Sequence, residues 1–494
     1  MRNGGYCIYY ADDGMVHTKF WGRLSLAEET HRYQQLEQWI LQGIIDGRWK
    51  SGDRLPSIRE ICAQQGVSKA TVQHALQRLE AQGFLEVRPK AGHFVTLAPK
   101  ATAPPRTTSR IEAPRPVNVS DLLLDIMDRN AAFDLLPKLH AGELPPGIVS
   151  LNRAIGRALR RQRGADFQYY DKPAGDLKLR EQLGLLLAKR GWPVTPDELC
   201  ITSGCQHALF LALMACCQRG DVVAVESPGF YGVLQLLEQL GLQVMEIPTS
   251  TASGMDMDAL EEALGRWNIQ ACVVSPAFAT PGGALMSEAP RRRLMALAEK
   301  YDLAVIEDDI YAESGFSRVP DTLKALDENN RVIHCSSFSK VLSRDLRLGW
   351  ISGARWHQRI LHLKMVTQLA SSRYLQQGVA AYMEEGELSA HLRRQRKVLS
   401  EQRDRLLASL LAWPVSVRVT APQGGLAVWL ELPATVDTLA VYPKALDAGV
   451  VITPGPLFSA SGKYGNCLRI SFSHPWDERR IRALNQLPEL LYLT

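Results

Sequence analysis

The sequence has no apolar run long enough to cross a membrane. Its longest such run, ALFLALMACC at residues 208–217, falls far short of the roughly 20 residues that a spanning helix needs. The opening residues, MRNGGYCIYYADDG, also lack the basic start and long apolar stretch of a secretory signal. We therefore expect no membrane association and a cytoplasmic location.

Paired cysteine motifs are missing as well. The nine cysteines are scattered without a CxxC pair, and Cys216 and Cys217 lie within an apolar helical pattern. This distribution favours buried, reduced thiols over disulfides or a zinc site. We expect no bound metal.

The positive charge of the chain is modest and unevenly distributed. The whole chain carries +5, whereas residues 31–117 hold 13 Lys and Arg against 7 Asp and Glu, an excess of six positive charges that leaves −1 for the remainder. At 494 residues the chain also exceeds the size at which a single core stops growing. We therefore expect two or more domains, the first of them basic.

Three helices and a hairpin are predicted in the basic segment. RYQQLEQWILQGIID at 32–46 has apolar residues at helical spacing. Ser57 begins a second helix with a capping box, and Gly66 ends it. A third helix is capped by Ser68 and ended by Gly83, and the strand-like pieces FLEVRP and HFVTL follow. This order is typical of a winged helix-turn-helix.

The pattern changes after a stretch rich in Pro, Ala, Thr and Arg, which indicates a semi-rigid linker because it cannot form a core. Apolar runs then alternate with long amphipathic helices. The predicted strands are CIT near 200, VVAVE near 222, QVMEI near 243, ACVVS near 271, LAVIE near 303, VIHC near 332 and LGWIS near 348. Most are apolar throughout, as strands covered on both faces must be, so we expect an α/β domain with a mostly parallel sheet. The predicted division is an extension at 1–30, a winged helix at 31–97, a linker at 98–118 and the α/β domain at 119–494.

Chemically useful side chains follow five of these strands. In such sheets ligands bind beyond the carboxyl ends of the strands. The segments that directly follow these five strands are SGCQHAL, SPGFYG, PAFATPGG, DDIY and SSFSK. They offer a helix N-terminus suited to phosphate, an aromatic ring, a polar loop, a carboxylate with a phenol, and a lysine. The sequence therefore predicts one binding site at this edge.

On these motifs, residues 119–494 resemble the fold-type I aminotransferases that use pyridoxal 5′-phosphate (PLP). The resemblance implies a smaller α+β subdomain beside the central sheet. It gives Lys340 the place of the lysine that forms the internal aldimine, Asp308 that of the aspartate on the pyridine nitrogen, and Tyr311 that of the tyrosine on the ring hydroxyl. The further cofactor contacts that it implies are Arg347, Ser337, Ser339, Cys205, Gln206, Phe230, Thr280 and Tyr170.

Several of these implied roles are specific. Arg347 would bind the phosphate, Cys205 stands where serine is more usual in the phosphate-binding turn, and Tyr170 would reach the phosphate of the partner subunit, which implies a homodimer. Arg469 in CLRISFS would hold the α-carboxylate of a substrate. Thr280 departs from the family, because an asparagine usually precedes the Pro of this loop, and the shorter donor puts turnover in doubt.

Simple chemistry supports the lysine and the arginines. Neighbouring positive charges should lower the pKa of Lys340 and make imine formation feasible near neutral pH. Asp308 would keep the ring nitrogen protonated, so that the ring can act as an electron sink. A guanidinium supplies planar donors that match phosphate or carboxylate.

Other interpretations of these residues stay open. Lys340 taken alone is a solvated surface lysine, and SFSK also fits the SxxK of penicillin-recognising hydrolases, although SDN and KTG elements are missing. Asp308 and its neighbour could instead form a metal or capping pair, and Arg469 a charge on an edge strand. Tyr231 competes with Phe230 for the stacking position, and the YY pair permits a one-residue shift at Tyr170.

The basic segment GDRLPSIREICAQQGVSKATVQHALQRLEAQGFLEVRPKAGHFV is similar to the DNA-binding domain of the GntR transcription regulators. In such folds the start of the recognition helix meets base edges, and basic groups hold phosphates. The implied contacts are Arg59, Ser68, Lys69, Thr71 and Gln73, with Lys90, Gly92 and His93 at the wing tip. Leu76 and Leu79 are expected in the core. The alternative is a small helical protein-interaction domain, but the positive charge is the footprint of a DNA-binding module.

A GntR-like winged helix joined to an aminotransferase-like domain resembles the MocR subfamily of bacterial transcription regulators. The resemblance implies a homodimer that binds operator DNA and senses an amine or amino acid. The amine would displace Lys340 into an external aldimine, and Arg469 would hold any carboxylate. Two alternatives stay open: an aminotransferase whose DNA-binding domain serves autoregulation, and a repressor whose C-terminal domain only dimerises. Thr280 favours the sensor.

Overall fold

The computed structural model describes residues 7–10, 16–19, 32–45, 48–50, 52–81, 84–89, 91–96, 104–107, 111–117, 125–126, 134–137, 143–165, 168–413 and 417–492. The helices in these ranges are α1 Arg32–Ile45, α2 Ile58–Gln65, α3 Lys69–Ala81, α4 Pro146–Arg160, α5 Leu177–Ala188, α6 Cys205–Cys216, α7 Tyr231–Leu240, α8 Met257–Arg266, α9 Glu288–Lys300, α10 His357–Gln368, α11 Arg373–Glu384, α12 Glu387–Leu411, α13 Thr438–Asp447 and α14 Glu478–Tyr492.

The strands are β1 Cys7–Tyr10, β2 Val16–Lys19, β3 Leu85–Arg88, β4 Gly92–Val95, β5 Arg115–Pro116, β6 Cys200–Thr202, β7 Val222–Ser227, β8 Gln243–Ser250, β9 Gly254–Met255, β10 Ile269–Val274, β11 Ala277–Ala279, β12 Ala284–Leu285, β13 Ala304–Asp308, β14 Val332–Ser337, β15 Gly349–Ser352, β16 Arg418–Val419, β17 Ala427–Glu431, β18 Thr453–Pro454 and β19 Cys467–Ser471. Strands β1 and β2 pair as an antiparallel hairpin within the N-terminal extension.

The predicted winged helix-turn-helix is confirmed. The capping box of α2 is present: the Glu60 amide donates to Ser57 Oγ at 3.3 Å and the Ser57 amide donates to Glu60 Oε2 at 2.6 Å. Gly66 ends the helix in the left-handed region, at φ 63°. The wing is the antiparallel pair β3 and β4. Leu76 and Leu79 are buried in the core of this domain, as expected.

The central sheet has the order β5-β8-β7-β10-β13-β14-β15-β6, with β9 beside β8. The run from β8 to β14 is parallel, whereas β15 is antiparallel to both of its neighbours. All seven predicted strands are present. Val273 and Ile306 face the cluster that contains α6, and Cys272 and Val305 face the cluster that contains α8 and α9. The sheet is therefore covered on both sides, which explains its uniformly apolar strands.

The end of the predicted linker belongs to this sheet. Arg115 and Pro116 pair antiparallel with β8 as its outermost strand, and Val117 is buried in the core. The expectation that residues 98–118 bury no core is therefore wrong at its last residues. A proline is acceptable at a sheet edge because its missing N–H faces away from the ladder.

A second, antiparallel sheet forms the smaller subdomain, in the order β16-β17-β19-β18. Strand β19 lies inside it, paired with β17 on one side and β18 on the other. Arg469 on β19 is 5% exposed. The alternative of an edge-strand charge is thereby excluded.

Helix α12 is shared by both parts of the molecule. Ala408 near its C-terminal end is buried in the core cluster of the winged helix domain, and Leu411 packs against that cluster. Lys50 of the winged helix domain forms an ion pair with Glu401 of α12 at 3.7 Å. The winged helix is therefore docked against the larger domain through this helix.

Two further features are the lengths of the apolar helices and the state of the cysteines. Among the residues that the structure describes, no helix is long and apolar enough to cross a membrane. Eight cysteines between Cys62 and Cys467 carry free thiols, seven of them buried and Cys62 half-buried.

Candidate cofactor site and DNA-binding surface

The residues predicted to hold a cofactor gather where the parallel strands end. Strand β13 ends at Asp308, β14 ends at Ser337, and Lys340 follows in the loop before β15. Strand β6 ends at Thr202, and α6 begins at Cys205. We call this region the strand-end site.

Asp308 is the buried carboxylate of the strand-end site. Its side chain accepts a hydrogen bond from Cys205 Sγ at 3.2 Å. Burial raises the pKa of Asp308 to about 6; the charge of Asp309 adds to this, and the Cys205 hydrogen bond and the charge of Lys340 oppose it. A buried acid of this kind gains from a cationic partner, such as a protonated ring nitrogen.

Asp309 has a different role from Asp308. It forms a two-point ion pair with buried Arg190, in which Nη2 donates to Oδ1 at 2.9 Å, and it lies 3.0 Å from His334 Nε2. Burial raises the pKa of Asp309, but the charge of Arg190 and the hydrogen bonds with His334 and Arg190 outweigh burial and lower this pKa to about 2. The pair of aspartates therefore divides into one that faces the strand-end site and one that binds the arginine behind it.

Lys340 is half-buried in the strand-end site. Burial and the positive charges of Arg344 and Arg469 hold its pKa well below the usual range, and Asp308 only partly opposes them. A lysine in this state carries a neutral amine at a lower pH than usual. It is therefore suited to attack a carbonyl carbon.

Tyr311 and Thr280 contact each other in the strand-end site. Tyr311 is buried, and its hydroxyl is hydrogen-bonded to Thr280. Burial raises the pKa of Tyr311, whereas the charges of Arg469 and Arg344 lower it. Thr280, the residue that departs from the family pattern, thus engages the neighbouring phenol.

Arg469 reaches the same site from the second sheet. Its charge acts on Lys340, Tyr311 and Tyr231 together, so its guanidinium lies among them. A buried guanidinium beside an amine can hold a carboxylate by two parallel hydrogen bonds. This position suits the predicted carboxylate-binding role.

An anion cradle lies beside the lysine. Arg347 has φ 46°, in the left-handed region, and donates from Nη2 to Ser203 O at 2.9 Å. A Cβ on Gly204, which has φ 91°, would lie 2.8 Å from that same Nη2. Glycine at this position therefore lets the guanidinium meet the N-terminal amides of α6, where an anion is favoured.

The remaining cofactor residues take varied positions. Ser337 Oγ accepts from the Ser339 amide at 3.3 Å. The side-chain amide of Gln206 donates to Gly232 O at 2.8 Å, which leaves its backbone N–H at the helix start as the group for an anion. Phe230 is half-buried in the loop between β7 and α7, and the centroid of its ring lies 4.9 Å from that of Tyr231.

Tyr170 lies on the surface of its own chain. It is 80% exposed, and the adjacent Tyr169 is 71% exposed. Two neighbouring exposed tyrosines suit a contact with another molecule. The prediction that Tyr170 serves a partner subunit stays a prediction.

Arg344 belongs to the site and was missed by the sequence reasoning. It is open to solvent, yet its charge acts on Lys340 and Tyr311. The sequence could have indicated this role, because Arg344 lies four residues after Lys340 in the loop that also supplies Arg347.

The strand-end site fits PLP. Ser339 Oγ is buried and has no hydrogen-bond partner among the described residues, so it can donate to a phosphate beside Arg347. Asp308 can hold a protonated ring nitrogen, and Lys340 supplies the amine. When bound, PLP would supply an electrophilic carbon and an electron sink.

Four of the predicted DNA contacts lie together on the winged helix domain. Arg59, Lys69, Gly92 and His93 line one cleft of about 560 Å³. The structure adds Arg54, which also lines this cleft and pairs with Phe94 of the wing. Sequence reasoning missed Arg54 because it lies before the capped helix, and only the fold brings it to the wing.

The recognition helix α3 presents its first residues outward. Ser68 Oγ is 2.8 Å from Thr71 Oγ1 and accepts from the Thr71 amide at 3.2 Å, which caps the helix. Lys69 and Gln73 are exposed, and Thr71 is half-buried. Lys90, also predicted to contact DNA, and Gly83, the predicted end of α3, lie outside the described residues.

Comparison with protein families gives two matches. The family described as aminotransferase class I and II matches residues 138–486, and the family of bacterial regulatory proteins, gntR, matches residues 32–95. The uncharacterized HTH-type transcriptional regulator YjiR of Escherichia coli (strain K12) is 35% identical over 474 residues, covering 93% of this chain and 99% of that protein. The HTH-type transcriptional regulator TauR of Rhodobacter capsulatus is 28% identical over 456 residues, covering 89% and 92%.

Among solved structures, the chain resembles LysN, the α-aminoadipate aminotransferase of Thermus thermophilus, complexed with N-(5′-phosphopyridoxyl)-L-leucine. The identity is 30% and the TM-score 0.67, with 74% of this chain and 94% of that one covered. The uncovered quarter corresponds in size to the winged helix and the segments beside it.

Proposed function

Since the chain belongs to the aminotransferase class I and II family and carries a gntR-family DNA-binding domain, as MocR-type transcription regulators do, we propose that it senses an amine or amino acid through PLP. Lys340 exchanges its aldimine for that of the effector, and the exchange changes operator binding. The observation that carries the proposal is a lysine of lowered pKa beside a buried carboxylate and an anion cradle, in a chain that also bears a DNA-binding domain. Such a protein acts in the cytoplasm, where the DNA is.

Different residues of the strand-end site bind PLP and the effector. Arg347, Ser339 and the start of α6 bind the phosphate, and Asp308 keeps a proton on the ring nitrogen. Arg469 orients an effector that has a carboxylate. Lys340 is released by the incoming amine, and its change of position is the local event that the protein detects.

A physical route connects this event to the DNA-binding domain. Tyr311 leads directly into the short turn Ala312–Ser314. Arg396 of α12 holds that turn: Nε donates to Glu313 O at 2.8 Å, and Nη2 donates to Glu313 Oε2 at 2.7 Å. Further along, α12 carries the contacts with the winged helix. An effector acts only if it binds two arrangements of this route unequally.

The test uses full-length protein loaded with PLP. Candidate amines should change the absorbance of the lysine-bound cofactor and the affinity for operator DNA at the same concentration. Lys340→Ala should lose the absorbance band of the lysine imine. A band that persists in Lys340→Ala, or none in the wild-type protein, contradicts the proposal.

The second candidate function is an aminotransferase. The family match and LysN favour it, whereas Thr280 in place of the usual asparagine disfavours it. Conversion of an amino acid and a 2-oxo acid at about 1 per second or faster selects the enzyme. Stoichiometric half-reactions without turnover select the sensor.

Binding of DNA by α3 has its own test. Lys69→Ala combined with Thr71→Ala should weaken operator binding and lower the salt dependence by about one counterion, because one phosphate contact is lost. Arg266→Ala, an exposed charge on α8, is the matched control. If the double variant and the control bind operator DNA with equal affinity, α3 does not contact DNA in the groove.

We propose further that the protein is a homodimer in which Tyr170 completes the partner's phosphate site. Tyr170→Ala should then lower PLP affinity at protein concentrations where sedimentation shows dimers, whereas Tyr374→Ala, a less exposed tyrosine on α11, should not. A monomer that binds PLP with full affinity contradicts this arrangement.

A further inference from the structure

His207 lies in the first turn of α6 and contacts the residue that precedes the anion cradle. The Ser203 amide donates to His207 Nδ1 at 3.2 Å. On the opposite side of the ring, Nε2 lies 3.3 Å from Thr367 Oγ1 of α10. The half-buried ring is therefore fixed between the start of α6 and the end of α10.

Both contacts require the same neutral tautomer of His207. Because the Ser203 N–H is the donor, Nδ1 is the unprotonated nitrogen and the ring proton is on Nε2. The Thr367 hydroxyl donates to Leu363 O at 2.8 Å, so its oxygen accepts from Nε2. Burial, followed by the charge of Lys364, lowers the pKa of His207 to about 4, which agrees with a neutral ring at neutral pH.

Ser203 is held at three points, and His207 supplies one of them. Arg347 Nη2 donates to Ser203 O at 2.9 Å, and the side-chain amide of Gln368 at the end of α10 donates to Ser203 Oγ. The Ser203 carbonyl is thus an acceptor that orients the guanidinium of Arg347 beside the start of α6. Because its amide and its hydroxyl are also bound, Ser203 presents this carbonyl in a fixed position.

His207 acts on the anion cradle through other residues. Both of its ring nitrogens have protein partners, so its contribution passes through Ser203 to Arg347. A guanidinium that is already oriented binds a phosphate more tightly, because less freedom is lost when the ligand arrives. A planar guanidinium also depends on its orientation to make two parallel bonds.

We propose that His207 is a positioning residue for the phosphate of PLP: it fixes Ser203, and through the Ser203 carbonyl it orients Arg347. The inference rests on PLP binding at the strand-end site, as in the proposed function, and concerns only the phosphate end of the cofactor. His207 therefore contributes to the affinity for PLP and not to the affinity for pyridoxal, which has no phosphate.

The alternative role of His207 is to cap α6. An acceptor for an N–H group at a helix start stabilises the helix whatever ligand is bound. Loss of such a cap would destabilise the protein and would weaken PLP and pyridoxal binding alike. The ratio of the two affinities therefore separates the positioning role from capping.

The test measures the dissociation constants of full-length, cofactor-free protein for PLP and for pyridoxal, from the absorbance of the lysine-bound ligand. His207→Ala should lower the affinity for PLP by about fivefold, which corresponds to one hydrogen bond of about 1 kcal/mol, and leave the affinity for pyridoxal unchanged. His207→Asn, whose side-chain oxygen can take the place of Nδ1, should retain the preference for PLP. His362→Ala, an exposed histidine on α10, is the matched control.

Thr367→Val tests the same contact without a change in α6. The ring then loses its acceptor on α10, so PLP binding should weaken selectively in this variant as well. Equal weakening of PLP and pyridoxal binding in His207→Ala would assign His207 to capping and overturn the proposal. So would an unchanged preference for PLP in both His207→Ala and Thr367→Val. A selective loss that His207→Asn restores supports the inference whether or not amines alter operator binding, so this inference and the proposed sensing fail separately.

Discussion

Arg344 shows how a single side chain adjusts the chemistry of another. Its positive charge is the largest electrostatic cause of the lowered pKa of Lys340 after burial. The two residues share one loop, so the effect is built into a five-residue stretch of sequence. Arg469 adds to it from a different sheet.

Removal of this charge should shift the pH at which PLP joins the lysine. In Arg344→Gln the ammonium form of Lys340 is less disfavoured, so the pKa of Lys340 rises and the midpoint for imine formation moves to higher pH. Absorbance of PLP added to the cofactor-free protein across a pH series measures this midpoint. Arg292→Gln, an exposed charge on α9, serves as the control, and equal midpoints in both variants would contradict the electrostatic role of Arg344.

Several residue roles could be expected from the sequence because their cause is local. The capping box at Ser57 and the left-handed Gly66 need only neighbouring residues. Arg344 is a local case that was overlooked, because it lies only four residues after Lys340. Arg54 could not be found in this way, since its place in the cleft depends on the fold bringing it to the wing. The burial of Arg469 likewise depends on β19 lying between two strands, which an isolated pattern does not reveal.

At the scale of elements, the strands of the central sheet were predictable and their connection to the second sheet was not. Apolar runs bounded by helices identify buried strands whatever their order. Whether Pro116 is in a linker or at a sheet edge depends on which strand is outermost, and that is decided by the packing of the whole domain. The double role of α12 could not be predicted either. Its sequence pattern does not show that the helix packs in the cores of both domains.

Helix α12 should transmit the effector signal. Arg396→Ala removes both hydrogen bonds to Glu313, so PLP and DNA should each still bind, while the effector changes operator affinity at least fivefold less than in the wild-type protein. Arg393→Ala, an exposed arginine one turn earlier on α12, should leave the response intact. Titrations of operator DNA with and without effector measure both, and a full response in Arg396→Ala would exclude this contact from the route.

At the scale of the whole molecule, the junction of the two domains should respond to pH. Burial raises the pKa of Asp404 to about 6 from the ordinary 3.8, an effect that Arg403 opposes and Glu401 increases. The folded state then holds the proton more tightly than the unfolded state. This contribution favours folding below about pH 4 and is lost as the pH rises to about 6.

Asp404→Asn should therefore be more stable than the wild-type protein at pH 7, by about 1 to 3 kcal/mol, and the difference should disappear near pH 4. Urea unfolding at a series of pH values measures the difference. A variant that is less stable at every pH would mean that the bonds to Arg403 outweigh burial.

The length of α12 also has a mechanical consequence. Arg396 and Ala408 are separated by about 18 Å along the helix axis, at 1.5 Å per residue. A rotation of about 5° at the Glu313 end would displace the far end by about 1.6 Å if the helix moves as a rigid rod. In the proposed homodimer each chain carries one such helix, so a small change beside the cofactor would alter the distance between the two recognition helices and the operator spacing that the pair can fit.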